Sequence, residues 1–161
     1  MQSKLLIAAI LVGGLATSSW AADQSTFLQD AIAGSMAEVQ LGQLAQQNGS
    51  SADVKSFGQT LVTDHSKAMD QAAALAKSMS VQVPTEPTPE AQKEYQKLHS
   101  LKGAEFDKEF AQHMVSDHEK DIKKFEEEAL GAGQVAQFAK ATLPTLQTHL
   151  DMAKKIEANQ E

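Results

Sequence analysis

The stretch FGQTLVTDHSK, residues 57–67, returns without a gap as FAQHMVSDHEK, residues 110–120. The shared pattern, F-x-Q-x-[LM]-V-[ST]-D-H-x-K, puts Phe57, Leu61 and His65 on one side of a helix, and Phe110, Met114 and His118 on one side of another. Two amphipathic helices match at their apolar positions by periodicity alone, but the common Asp-His-x-Lys has no such explanation. The phrase therefore predicts two helices of a bundle, each turning a histidine toward the core.

Outward from these phrases the pattern is helical throughout, and no stretch alternates in the manner of a strand. Apolar residues at helical spacing predict four long helices at about 25–47, 51–79, 103–129 and 134–158. Asn48-Gly49 ends the first, Ser50 and Ser51 offer N-caps to the second, and Gly131-Ala132-Gly133 separates the last two. Pro144 falls inside the fourth and is expected to bend it or open one backbone bond. Residues 80–102 hold three of the four prolines, and within them Thr88-Pro89-Glu90 opens a short helix to about Leu98. A connection this long is expected to cross the length of the bundle, because a simple helical hairpin uses about 2–8 residues. The predicted class is all-α, a four-helix bundle with a long middle connection containing a short helix.

Composition narrows the chemistry. The 161 residues include 14 lysines, no arginine and 21 acidic residues, for a formal charge of -7. Without an arginine fork or a basic patch, nucleic acid is not an expected partner. The absence of cysteine rules out disulfides, thiolate catalysis, cysteine-type zinc sites and iron–sulfur ligation. No organic cofactor is expected, and metal or acid–base chemistry must come from five histidines and the carboxylates.

The first residues read as a cleaved secretory signal peptide over 1–21. Lys4 precedes an apolar run from Leu5 to Ala16, and Ser19-Trp20-Ala21 supplies the small residues of a cleavage site. The apolar run is too short to span a bilayer comfortably. The expectation is thus a periplasmic or otherwise exported chain, with residues 22–161 as its single domain and no transmembrane span.

His65 lies four residues after Leu61, and His118 lies four after Met114 and four before Ile122, so both fall on apolar stripes. A single histidine there is commonly a satisfied core residue, and two at equivalent depths strengthen the case for a site. His149, three after Leu146, is a third, and Glu38 on the first helix supplies a carboxylate among small residues that needs a cation, a histidine or water if buried. Counting about 1.5 Å per residue from the turns brings all four to nearly one level, at mid-bundle. Such a nitrogen-rich set suits Zn, Cu or Fe rather than Mg or Ca. Asp64 and Asp117 point about 100° away from the neighbouring histidines and are expected as partners behind the ligands. His113 is a substitute ligand should His149 not reach, and His99 is expected at the surface. Tyr95 is expected to pack.

Together with Glu38-Val39-Gln40-Leu41-Gly42, Gly103-Ala104-Glu105-Phe106-Asp107 and Leu143-Pro144-Thr145-Leu146-Gln147-Thr148-His149-Leu150, the paired Asp-His phrase resembles the secreted bacterial family catalogued as domain of unknown function 4142. The resemblance covers about residues 24–158 and implies a ferritin-like four-helix bundle and an exported location, with no agreed activity. Ferritin chemistry does not come with it. The di-iron pattern needs Glu-x-x-His on two helices, whereas Val62, Val115 and Leu146 stand three residues before the histidines. The sequence thus points to an exported, non-enzymatic bundle binding one metal ion through Glu38, His65, His118 and His149, in metal handling or stress protection. The rival expectation is a non-catalytic envelope or interaction protein whose Asp-His network is structural and whose protein partner the sequence does not name.

Overall fold

The computed structural model describes residues 16–160, with side chains from residue 23. The expected signal peptide lies outside the described residues up to position 15. The elements are α1 (Ala16–Asn48), α2 (Ala52–Ser78), α3 (Pro89–His99), α4 (Gly103–Ala129) and α5 (Gly133–Ala158). The four long helices and the short one end close to their expected bounds, except that α1 begins earlier than residue 25. Residues 16–24 include three alanines and no glycine or proline, so nothing in that stretch stops the helix.

Local chemistry sets the helix ends. Ser51 Oγ accepts from the Val54 N–H at the start of α2, and Thr88 Oγ1 does the same for Ala91, with Pro89 in the first turn of α3. Gly103 and Gly133 open α4 and α5 at φ +64° and +88°, backbone that favours glycine. The helix α5 runs unbroken through Pro144, which has no N–H to offer the Lys140 carbonyl.

Short turns make α1–α2 and α4–α5 into hairpins, and the bonds at their ends show how the hairpins are joined. Buried Asp107, in the first turns of α4, accepts from the Ser50 and Ser51 N–H groups at 3.0 and 2.9 Å, beside the start of α2. Asn48 Nδ2 donates to the Leu101 carbonyl at 3.0 Å, and the Lys102 ammonium donates to Asn48 Oδ1. At the opposite end Gln24 Nε2 donates to Glu128 Oε1, and Gln29 Nε2 to the Gln82 carbonyl. Hence α2 and α4 start at the same end and run parallel, and residues 79–102 cross the length of the bundle, as their length led us to expect.

Packing of α1 on α2 and α4, and of α5 on the same two helices, leaves α2 and α4 on a diagonal. The repeated phrases therefore meet across the axis, equivalent residue to equivalent residue. Phe57 faces Phe110 with ring centroids 6.0 Å apart, and His65 faces His118 at 5.8 Å. Along α1 and α2 the backbones touch: a Cβ on Gly42 would lie 2.6 Å from the Gly58 carbonyl oxygen, and the reverse holds equally.

The core has two apolar parts. One, around Leu44, Val54, Phe57, Phe106, Phe110 and Ile156, fills the end holding the α1–α2 turn. The other, around Leu28, Ile32, Ala72, Phe125, Val135 and Phe138, fills the far end. Each fully buried phenylalanine or leucine contributes about 1.5–3 kcal/mol through removal from water. Between the two parts in chain position on every long helix stands a buried polar residue: Glu38 on α1, His65 on α2, His118 on α4 and His149 on α5.

Candidate metal centre

The polar layer splits into two groups. The imidazoles of His65, His118 and His149 come together, with ligand nitrogens all within 4.8 Å of one another; among the described residues no other His, Asp or Glu set meets this closeness. Their ring centroids stand 5.2 to 5.8 Å apart, and Phe57 closes one side of the group, its ring 6.0 Å from that of His149. All three side chains are buried, His149 completely.

Hydrogen bonds assign the ring protons. His118 Nδ1 lies 3.0 Å from the Met114 carbonyl, which can only accept, so the proton is on Nδ1 and the lone pair on Nε2. His149 Nε2 lies 2.9 Å from the Asp64 carboxylate, so Nε2 donates and Nδ1 carries the lone pair. The two lone pairs then face each other, His118 Nε2 to His149 Nδ1, at 3.3 Å. His65 Nε2 is buried beside them with no hydrogen-bond partner.

A proton is a poor bridge there. Burial holds His65 well below the ordinary imidazole range, with the neighbouring His118 and His149 adding to it. Burial and His149 push His118 down to about 4, and burial also lowers His149 against the opposing pull of Asp64. At neutral pH the group is three uncharged nitrogen donors. In a tetrahedral zinc site with bonds of about 2.0–2.1 Å, ligand nitrogens stand about 3.3–3.4 Å apart, which is the separation His118 and His149 already have.

Glu38 stands outside this group. Burial, reinforced by the neighbouring Asp117 and the charge of Asp121, holds its pKa well above the usual carboxylate range. Its Oε2 is buried without a partner. Glu38 lies on the floor of a cleft between α1 and α4, bordered also by α3, which Asp117, Asp121 and His113 line as well. Burial and Asp117 raise Asp121 to about 7.

Of the residues singled out in the sequence, the structure thus gathers His65, His118 and His149 and places Asp64 behind His149. It does not bring Glu38 or Asp117 into that group, since both line the cleft between α1 and α4. His113 lines the cleft, its Nδ1 4.0 Å from a Glu94 carboxylate oxygen, and exposed His99 stacks on Tyr95, which packs against the core. Asp121 was not singled out; its signal is the spacing His113, Asp117, Asp121, every fourth residue along one stripe of α4.

Fold and site together define an all-α bundle with a buried three-histidine group able to hold a metal ion. The chain belongs to the family described as Domain of unknown function (DUF4142), which it matches over residues 13–156. No curated protein and no solved structure matches it. Among the described residues no helix is long and apolar enough to cross a membrane.

Proposed function

We propose that the protein is an exported helical bundle that holds one transition-metal ion, zinc, copper or iron, through His65, His118 and His149, and serves metal handling or stress protection without turning over a substrate. The observation that carries this reading is the pair of lone pairs on His118 Nε2 and His149 Nδ1, 3.3 Å apart, beside the unpartnered His65 Nε2. A buried polar atom left unpaired costs about 1–3 kcal/mol, and a cation among the three nitrogens removes that cost. Asp64 fixes the ring of His149 and the Met114 carbonyl fixes that of His118, as partners behind metal-bound histidines do. The ligand set proposed here is the three histidines, without Glu38. The crossover connection supports the ferritin-like reading of the bundle, and the leader-like residues 1–21 support export.

Elemental analysis of the untagged protein, beside a His65→Ala, His118→Ala variant, tests the proposal. About one metal ion per chain in the parent and none in the variant is the expected result. Metal-free protein that takes up no zinc, copper or iron would overturn it and leave the Asp64–His149–His118 chain as a structural network. Equal metal in parent and variant would put the site elsewhere.

A further inference from the structure

The second half of the polar layer has its own chemistry. On α1, Gly34, Ala37 and Glu38 face the cleft, and a Cβ on Gly34 would meet no atom within 4 Å, so this side of the helix is open where the Gly42 side is sealed. On α4 the cleft is lined by Asp117 and Asp121, and Glu90 and Glu94 of α3 border it. Its volume is about 440 Å³, room for a cation together with bound water, whose share of liquid volume is about 30 Å³ per molecule. Lys120 and Lys124 also line it, and Lys124 stands 3.7 Å from Asp30.

The feature that sets this cleft apart from an ordinary acidic surface is Glu38. Its side chain is only 2% exposed, its Oε2 has no hydrogen-bond partner, and its immediate company is two further carboxyls. A buried carboxyl oxygen aimed among like groups, with no lysine bonded to it, lacks the positive partner that buried acids ordinarily have. Oxygen donors of this kind prefer hard divalent cations, which keep part of their water shell, over the softer ions that imidazole selects.

We propose that the cleft is a binding site for a hydrated hard divalent cation of the manganese, magnesium or calcium class, held by Glu38, Asp117 and Asp121 and separate from the three-histidine group. The carboxyl oxygens are not gathered as closely as the imidazole nitrogens, so water supplies the remaining ligands. The site stands whether or not the histidines bind metal, because it shares none of their donor atoms.

The test is titration of the chelator-treated full chain with Mn²⁺, reading free Mn²⁺ by electron paramagnetic resonance and helicity by circular dichroism. One saturable site per chain is expected, at least about tenfold weaker in Glu38→Gln and in Asp121→Asn, by analogy with losses at metal-site partners. The His65→Ala, His118→Ala variant is expected to bind Mn²⁺ as the parent does. Glu38→Gln is isosteric and Asp121 is partly exposed, so one of the two variants suffices if the other loses helicity. No saturable binding, or parent-like binding in both acid variants, would overturn the proposal. So would loss of the site in the histidine variant alone, which would place Mn²⁺ among the imidazoles.

Discussion

Asp117 and His118 are neighbours in the chain, yet they serve two regions of opposite character at the same level of the bundle. His118 turns inward to His65 and His149, where the surrounding core strips water away and keeps three imidazoles neutral. Asp117 turns about 100° away to Glu38 and Asp121, into a cleft that water reaches. Burial acts on both groups by disfavouring charge, but with opposite results for cation binding. A neutral imidazole offers its lone pair, whereas a neutral carboxyl must first give up its proton.

The strongest way to break this contrast is to exchange the two groups as zinc ligands. His65→Ala with His118→Ala should reduce zinc affinity by at least about a hundredfold, while Glu38→Gln should change it by less than about threefold, in competition titrations against a chromophoric chelator. Zinc affinity that followed Glu38 would merge the two regions into one site. The estimate takes each lost ligand as worth at least the 10–100-fold that loss of a partner behind it costs.

The regions should also respond oppositely to acid in the chelator-treated protein. His118 is lowered from 6.5 to about 4 on folding, so the unfolded chain binds its proton first. Its contribution is fully present above pH 6.5 and is lost as the pH falls toward 4, about 3 kcal/mol in all. Asp121 is raised from 3.8 to about 7, so its penalty is full above pH 7 and is relieved as the pH falls toward 3.8. The two offset one another, and Asp121→Asn should therefore lose stability more steeply than the parent between pH 7 and 4 in urea unfolding. Parallel curves would mean that Asp121 is not held protonated.

Three single substitutions probe smaller terms on the two sides of α1 and behind His149. Gly42→Ala should cost about 1–3 kcal/mol by thermal or urea unfolding, because its Cβ meets the backbone of Gly58 rather than a side chain that can yield. Asp64→Asn should weaken zinc binding about 10–100-fold with helicity unchanged, through loss of the carboxylate that orients His149. Gly34→Ala, on the open side of the same helix as Gly42, should stabilise by about 0.5–1 kcal/mol, since only helix propensity changes there.

Much of this was legible in the sequence because helices carry their period in the chain. The apolar stripes gave the four long helices, and the repeated phrase marked two residues, His65 and His118, that meet across the axis. Depth along a helix also follows from counting, which is why His149 and Glu38 were placed in the same layer. What counting cannot supply is the rotation of each helix about its own axis. The Gly42–Gly58 contact sets how closely α1 lies on α2, and Glu38 comes to rest against α4 rather than among the histidines. Asp64 and Asp117 occupy equivalent places in the repeat, but one meets a histidine from α5 and the other a glutamate from α1, because the repeat does not extend to their neighbours. Asp121 became visible only once α1 and α3 were seen to frame a cleft around its stripe.

The proposed site requires that three imidazoles of this bundle bind one metal ion. X-ray absorption at the zinc edge of the zinc-loaded full chain tests it most directly. About three imidazole nitrogens at roughly 2.0–2.1 Å, with the outer-shell scattering of the rings, is the expected result. An all-oxygen shell without imidazole scattering, identical in the His65→Ala, His118→Ala variant, would contradict it.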